Sequence, residues 1–289
     1  MQQAKTGTQP FTIAIVGLGL MGGSLAHALK GFRDACLIGA DTDVQVCRQA
    51  VRAGVVSSAH PSPDVILPDA DLVLFCTPPH AIPELLRACA ALCKPSVLLC
   101  DICGVKSPLY REIEAVLPKP MRYIGIHPMA GKEVGGFTNA DGALFVNTGF
   151  IIIPTPRTVQ EDVVLMRALA RHIGVAHIAQ IEPKTHDDII GYTSDLMHIA
   201  SAALCMDMHP GMTPAFTAGA FRDCTRVADI DASLWTELLM VNRTHTLAHL
   251  DRYINRLTQV YDALFAEDEA GLHALLLRAG DNKRRFKSL

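Results

Sequence analysis

Between Phe11 and Ile181 the chain repeats one pattern, a short apolar run followed by a stretch of helical periodicity. The apolar runs are FTIAIV, CLIGADTD, ADLVLFCTPP, PSVLLCD, YIGIHPM, FIIIPTP and His177 to Ile181; the intervening stretches include SLAHALKGF, AIPELLRACAAL, PLYREIEAVL and VVLMRALARHIG. Strands that are apolar throughout must be covered on both faces, and amphipathic helices between them supply the cover. The first junction is the glycine turn Gly17-Leu18-Gly19-Leu20-Met21-Gly22-Gly23, lying between a strand and a helix. The pattern predicts an α/β fold whose N-terminal part is a Rossmann-type, doubly wound parallel sheet.

After Glu182 no β-rich run follows, and the remainder reads as helices over about 184–208, 212–228, 233–265 and 267–280, punctuated by Pro210 and Pro214. The expected organisation is a dinucleotide-binding domain over 10–182 and an all-α substrate and dimerisation domain over 183–289. The apolar faces of that second part exceed what about 105 residues can cover alone, so a homodimer formed through it is expected.

Charged residues make up 19% of the 289 residues and the net charge is -3, which leaves no basic field to grip a nucleic acid. The nine cysteines are an odd number spread along the chain, as in reduced, buried thiols of a cytoplasmic protein. Cys89, Cys93, Cys100 and Cys103 include a CxxC, but two fall in a helical pattern and one ends the strand VLLC, so no metal site is expected. Thr6 to Leu29 is uncharged up to Leu29 and loosely mimics a leader or a membrane span; its glycines, Gly17, Gly19, Gly22 and Gly23, argue against a span.

Gly17, Gly19 and Gly22 form GxGxxG, in which the first glycine permits the tight turn, the second admits a pyrophosphate, and the third lets helix and strand approach. Leu20 and Met21 complete the turn at the helix amino terminus, whose unpaired N–H groups attract phosphate. Asp41 ends the second apolar run, where a carboxylate accepts hydrogen bonds from a ribose 2'-hydroxyl and repels a 2'-phosphate; Asp43 is the alternative if the register differs. NAD is therefore the expected cofactor. Thr77 and Pro78 follow a further strand, at the sheet edge where a dinucleotide lies, and His80 reads as a solvated loop histidine.

For chemistry, His127 sits in HPMAG, on a proline-braced loop at the carboxyl end of a strand. Lys106, in DICGVKSPL, reaches the same edge, and the helical part offers His186, Asp187, His198, Arg222 and Arg226.

Taken in order, GLGLMGGS, the D-x-x-x-V-K turn at 101–106, GIHPMAGKEVGG, THD with the SxLxH pattern at 194–198, and FRDxTRxA resemble the prephenate and arogenate dehydrogenase family of tyrosine biosynthesis, over 11 to about 285. The resemblance implies an oxidative decarboxylation in which His127 accepts the proton of the substrate 4-hydroxyl. It also implies that Arg226 binds a substrate carboxylate and that His198, Lys106 and the turn at Gly104 line the substrate pocket. Other Rossmann-plus-helical reductases, such as β-hydroxyacid dehydrogenase relatives, would place a lysine or hydroxyl where His127 stands. A regulatory NAD-binding relative with weakened turnover is the reading from a different class.

Two positions depart from the family pattern. Gly104 stands where a serine hydroxyl would touch both the histidine and the substrate. Asp195 stands where the first histidine of S-H-L-P-H is common; beside the substrate, a carboxylate would favour the ammonium of arogenate over the ketone of prephenate.

Overall fold

The computed structural model describes residues 10–287. One eight-stranded sheet contains β1 (Thr12–Val16), β2 (Cys36–Ala40), β3 (Ser58–His60), β4 (Leu72–Phe75), β5 (Leu98–Asp101), β6 (Arg122–Met129), β7 (Gly149–Pro154) and β8 (His177–Gln180). The helices α1 (Leu20–Ala28), α2 (Val44–Arg52), α3 (Ala81–Cys89), α4 (Ser107–Val116) and α5 (Gln160–His172) cover its two faces. Spatial order is β3-β2-β1-β4-β5-β6-β7-β8, so the winding reverses between β1 and β4. A crevice opens beyond the carboxyl ends of those two strands.

The continuous apolarity of the strands follows from double-sided burial. Along β1, Ile13 and Ile15 enter one core while Ala14 and Val16 enter the other. Helix starts are local: the Asp43 carboxylate accepts from Gln45 N–H at 2.7 Å to cap α2, and Asp162 reaches back to Val159 N–H at 3.0 Å to begin α5.

The doubly wound sheet is as the sequence predicts, with one correction: β7 runs antiparallel to β6, pairing His127 with Ile151. A parallel return needs a crossover that packs on the sheet, usually a helix. The residues between β6 and β7 form only the single-turn segments Phe137–Asn139 and Gly142–Phe145, and these cross α1 instead. There Phe137 and Ala140 sit so close to Gly23 that a Cβ on that glycine would lie 2.8 Å from each.

Beyond β8 the chain is helical: α6 (Pro183–Ile190) passes through a π turn, Gly191–Asp195, into α7 (Leu196–Met206), followed by α8 (Gly219–Thr225), α9 (Ala232–Val241), α10 (Arg243–Phe265) and α11 (Glu269–Lys287). The single helix expected over 233–265 is two, because the Asn242 side chain leaves the helix surface to bond elsewhere. The stretch expected as one helix over 212–228 is broken into the single turn Pro214–Phe216, α8, and the single turn Arg226–Ala228. The run Pro183–Met206 is long and apolar enough to cross a membrane by composition, yet His186, Asp187 and Asp195 within it are buried against the rest of the protein. On α10, Ile254, Leu257, Tyr261, Leu264 and Phe265 are exposed at helical spacing, an apolar stripe left uncovered among the described residues.

Candidate active site

The glycine turn is shaped by close approach. Gly17 has φ +91° and lies under the Cys76 carbonyl, to which a Cβ would come within 2.7 Å; a Cβ on Gly22 would meet the Gly17 carbonyl oxygen at 1.8 Å. Around Gly19 there is open space to 4 Å, and as the residue preceding α1 it brings no capping side chain, so the first N–H groups of that helix face the crevice. Thr77, from the loop after β4, touches Gly17 through its methyl group, and its Oγ1 is buried without a partner. An open cradle beside an orphaned hydroxyl suits a dinucleotide pyrophosphate. Asp41 accepts from Leu18 N–H at 2.8 Å and from Asp43 N–H at 3.0 Å, so it braces the glycine turn with lone pairs left over for a ribose. Pro78 is exposed on the next position, and His80 bonds to Glu237 of α9 through both its backbone N–H (3.0 Å) and its Nδ1 (2.8 Å).

At the carboxyl end of β6, His127 Nδ1 lies 2.9 Å from His186 Nε2, and His186 Nδ1 lies 2.8 Å from the Asp187 carboxylate. Asp187 is itself fixed by the amino terminus of α4, accepting from Lys106 N–H at 2.9 Å and Ser107 N–H at 2.8 Å. Burial pushes the Asp187 carboxyl up, but the hydrogen bonds from His186 and Ser107 outweigh it and the net shift is downward. Burial lowers His127 well below the usual imidazole range, reinforced by His186 and Lys106, and burial lowers His186 as well.

These shifts fix the tautomers. An ionised carboxylate only accepts, so a neutral His186 carries its proton on Nδ1 and accepts at Nε2. His127 then donates from Nδ1, which leaves its Nε2 with a free lone pair. That nitrogen faces the turn at Gly104, whose ideal Cβ would lie 3.9 Å from it and 3.8 Å from Cε1. The result is an imidazole held in the proton-accepting form.

The D-x-x-x-V-K turn closes on itself. Lys106 was expected to bind substrate, but its ammonium is fully buried, 2.5 Å from Asp101 Oδ1 and 2.8 Å from the Ile126 carbonyl. Asp101 also accepts from Cys103 N–H at 2.9 Å and Tyr123 OH at 3.2 Å. Lysine and aspartate thus hold the turn that presents Gly104, and the lysine is directed away from the crevice.

From the helical side, His198 stacks on Trp235 of α9 with ring centroids 3.5 Å apart and its Nδ1 2.9 Å from the Ser194 carbonyl. Burial lowers its pKa. One turn along α9, Leu238 approaches the Gly104 position to 3.9 Å, so α9 forms a wall over the same turn. Arg226 is exposed and pairs with Glu133 of the HPMAGKE loop. Arg222 is exposed on α8 and stays outside this group. Asp195 does not face the crevice: it is 2% exposed and accepts from Asn242 Nδ2 at 2.7 Å and Thr246 Oγ1 at 2.8 Å. Enclosed in this way, the Asp195 carboxylate gives no preference for the ammonium of arogenate.

Among the described residues, no three His, Cys, Asp or Glu side chains are gathered as a metal would need, and Cys103 instead directs its thiol to the Thr77 carbonyl at 3.7 Å.

The family model described as "Prephenate dehydrogenase, nucleotide-binding domain" matches residues 25–179, and "Prephenate dehydrogenase, dimerization domain" matches 182–278. The chain belongs to the prephenate dehydrogenase family. It is 28% identical over 277 residues to prephenate dehydrogenase of Bacillus subtilis, covering 93% of this chain and 74% of that protein. The arogenate dehydrogenase of Synechocystis superposes with a TM-score of 0.80 at 28% identity, over 96% of this chain and 100% of that one. The prephenate dehydrogenase of A. aeolicus, solved with hydroxyphenyl propionate and NAD+, shares the fold with a TM-score of 0.85 at 24% identity, over 98% and 100% of the two chains.

Several members of this site carry little sequence signature. His186 and Asp187 read as a pair at the start of a helix, and their role depends on α6 docking against the end of β6. Trp235, Leu238 and Asn242 lie in no motif, and Glu133 lies in GIHPMAGKEVGG without a mark of its own. The one available hint for Trp235 was that it is the chain's single tryptophan.

Proposed function

We propose that the protein catalyses the NAD-dependent oxidative decarboxylation of prephenate to 4-hydroxyphenylpyruvate, a step of tyrosine biosynthesis, with His127 as base. The observation that carries this reading is the Nε2 of His127, left with a free lone pair by the chain of hydrogen bonds through His186 to Asp187. Gly17, Gly19, Leu20, Met21, Gly22, Thr77 and Pro78 would surround the pyrophosphate, and Asp41 would hold the ribose, which favours NAD over NADP. Bound NAD supplies a hydride acceptor for the ring carbon that carries the hydroxyl. His127 receives the proton of that hydroxyl as its carbon is oxidised. The bond to the carboxylate at the opposite ring position would then break, its electron pair completing the aromatic ring and passing to the former hydroxyl oxygen, to which His127 returns the proton as carbon dioxide leaves.

Arg226 spends one nitrogen on Glu133, and the guanidinium retains donors for a substrate carboxylate. His198 and Trp235 wall the pocket, and Gly104 leaves room beside the base. Lys106 acts beneath the site by holding the turn. The exposed stripe on α10 supports a homodimer through the helical domain, and free thiols at all nine cysteines suit the reducing cytoplasm.

Arogenate is the second reading, favoured by the 28% identity to the Synechocystis arogenate dehydrogenase. Side-by-side rates on prephenate and arogenate, each with NAD and NADP, decide it. Faster turnover of prephenate with NAD is expected, and NAD reduction with neither substrate would overturn the enzymatic reading. Sedimentation at micromolar concentration, giving twice the 31.2 kDa chain mass, checks the dimer.

A further inference from the structure

The buried group that the reaction does not use is Asp195. It ends the π turn between α6 and α7, and it is 2% exposed. Burial raises its pKa against the opposing hydrogen bonds from Asn242 and Thr246. A carboxyl in such a place is costly to keep unless its bonds secure a particular arrangement. Its partners lie at one corner of the fold: Asn242 links α9 to α10, and Thr246 sits one turn into α10.

Asn242 does more than meet Asp195. The same amide Nδ2 donates to the Asp187 carbonyl at 3.0 Å, and Asp187 is the carboxylate that orients His186 and, through it, His127. On the other side, the Asn242 backbone N–H donates to the Leu238 carbonyl at 2.9 Å, closing the last turn of α9. That turn brings Leu238 to the Gly104 position, and the preceding turn brings Trp235 onto His198. A displacement of Asn242 therefore moves the wall of the pocket and the support of the base together.

We propose that Asp195 is a positioning residue: through Asn242 and Thr246 its carboxylate locks the α9–α10 corner onto α6, setting both the Trp235–Leu238 wall and the segment that orients His127. This rests on the proposed function for its kinetic consequence, and on geometry alone for the placement of Trp235. The bonds Asp195 makes need an acceptor on a short side chain, which asparagine also offers and alanine does not.

The test uses the full-length protein with Asp195→Ala, Asp195→Asn and Thr246→Val, the last removing one donor at nearly constant shape. As the chain's one tryptophan, Trp235 gives an activity-free readout through acrylamide quenching of its fluorescence. Quenching is expected to rise in Asp195→Ala, to rise less in Thr246→Val, and to return close to wild type in Asp195→Asn. In turnover, misplacing the wall and the base should raise the substrate KM and lower kcat, with kcat/KM down by about 10- to 100-fold in the alanine variant. Affinity for NAD, titrated calorimetrically, should stay within about twofold of wild type, a loss of no more than ~0.4 kcal/mol. Should Asp195→Ala fail to fold, Thr246→Val and Asp195→Asn carry the comparison.

Unchanged Trp235 quenching in the folded variants would overturn the lock, whatever the enzyme turns over. A wild type that reduces NAD with neither prephenate nor arogenate would instead overturn the proposed function, and the quenching series would still decide on Asp195.

Discussion

Gly104→Ser asks whether the base is fully positioned without a neighbouring hydroxyl. An ideal Cβ at this position lies 3.8 Å from His127 Cε1, 3.9 Å from Nε2 and 3.9 Å from Leu238 Cδ2, all ordinary van der Waals contacts. The backbone there is not in the left-handed region, so a side chain brings no conformational strain. One further bond carries the hydroxyl oxygen to about 2.7–3.0 Å from Nε2, within hydrogen-bond range. A net hydrogen bond of about 0.5–1.5 kcal/mol, if expressed in the transition state, corresponds to roughly 2- to 10-fold in rate. The loss of glycine's freedom in the unfolded chain should offset the cost of enclosing the hydroxyl, leaving stability within about 1 kcal/mol of wild type.

The assay is initial-rate NAD reduction with saturating prephenate, comparing wild type, Gly104→Ala and Gly104→Ser, with urea midpoints measured in parallel. Alanine supplies the Cβ without the hydroxyl and should leave kcat within about twofold of wild type, a difference of ~0.4 kcal/mol or less. Serine should raise kcat. If alanine and serine give the same rate in equally stable proteins, the relay through His186 already orients His127 completely, and the reasoning from the missing hydroxyl is refuted.

Asp187→Asn presents an amide N–H to His186, which reverses the tautomer chain and puts a proton on His127 Nε2; kcat/KM should fall by about 10²- to 10⁴-fold, the range of a general base, and a loss under tenfold would count against the relay. Arg226→Lys keeps the charge but not the planar fork, so substrate KM should rise about tenfold or more, for ~1.4 kcal/mol or more of lost binding, while the urea midpoint holds because Arg226 is exposed; unchanged KM would remove Arg226 from the substrate site. Because burial lowers His127 and His186 below the usual imidazole value of ~6.5, the acid limb of kcat/KM should lie below that pH, and a limb above it would refute the buried-base reading. The unfolded chain binds protons at these two histidines that the native state refuses, so stability should fall as pH drops from 6.5 toward their lowered values, read as a declining urea midpoint.

The sheet was legible because its information is local and redundant. Apart from the short edge strand β3, Ser-Ala-His, which no apolar run announces, the strands of the N-terminal half are apolar on both faces, and the glycines at 17 and 22 answer clashes that a Cβ would create there. The direction of β7 was not legible, since FIIIPTP has the same apolarity whichever way it runs. What decides it is the absence of a crossover helix between Met129 and Gly149, and those residues contain enough Gly and Asn to read as either loop or connection. The break at Asn242 was hidden for a related reason: asparagine is tolerated within helices, and here its amide is drawn out by the Asp187 carbonyl and the Asp195 carboxylate, from residues 55 and 47 positions away.

The site divided along the same line. His127 stood out because a proline-braced histidine after a strand is poor core, whereas Lys106 misled because a lysine at a carboxyl edge carries no mark of its side chain's direction. Its ammonium pairs with Asp101 at the end of β5, and this pairing holds the turn that presents residue 104 to His127. Asp195 misled in the opposite sense, its charge suggesting a ligand contact that burial rules out. In both cases the charged side chain is enclosed and bonded to its neighbours, Lys106 to Asp101 and Asp195 to Asn242 and Thr246. The proton-accepting form of His127 likewise belongs to neither domain alone: the imidazole comes from the sheet, the two groups that orient it come from α6, and Asn242 ties α6 to the helix that walls the pocket. Any motion that separates the helical domain from the end of β6 would therefore take the orienting groups from His127 and the α9 wall from the turn at Gly104 together.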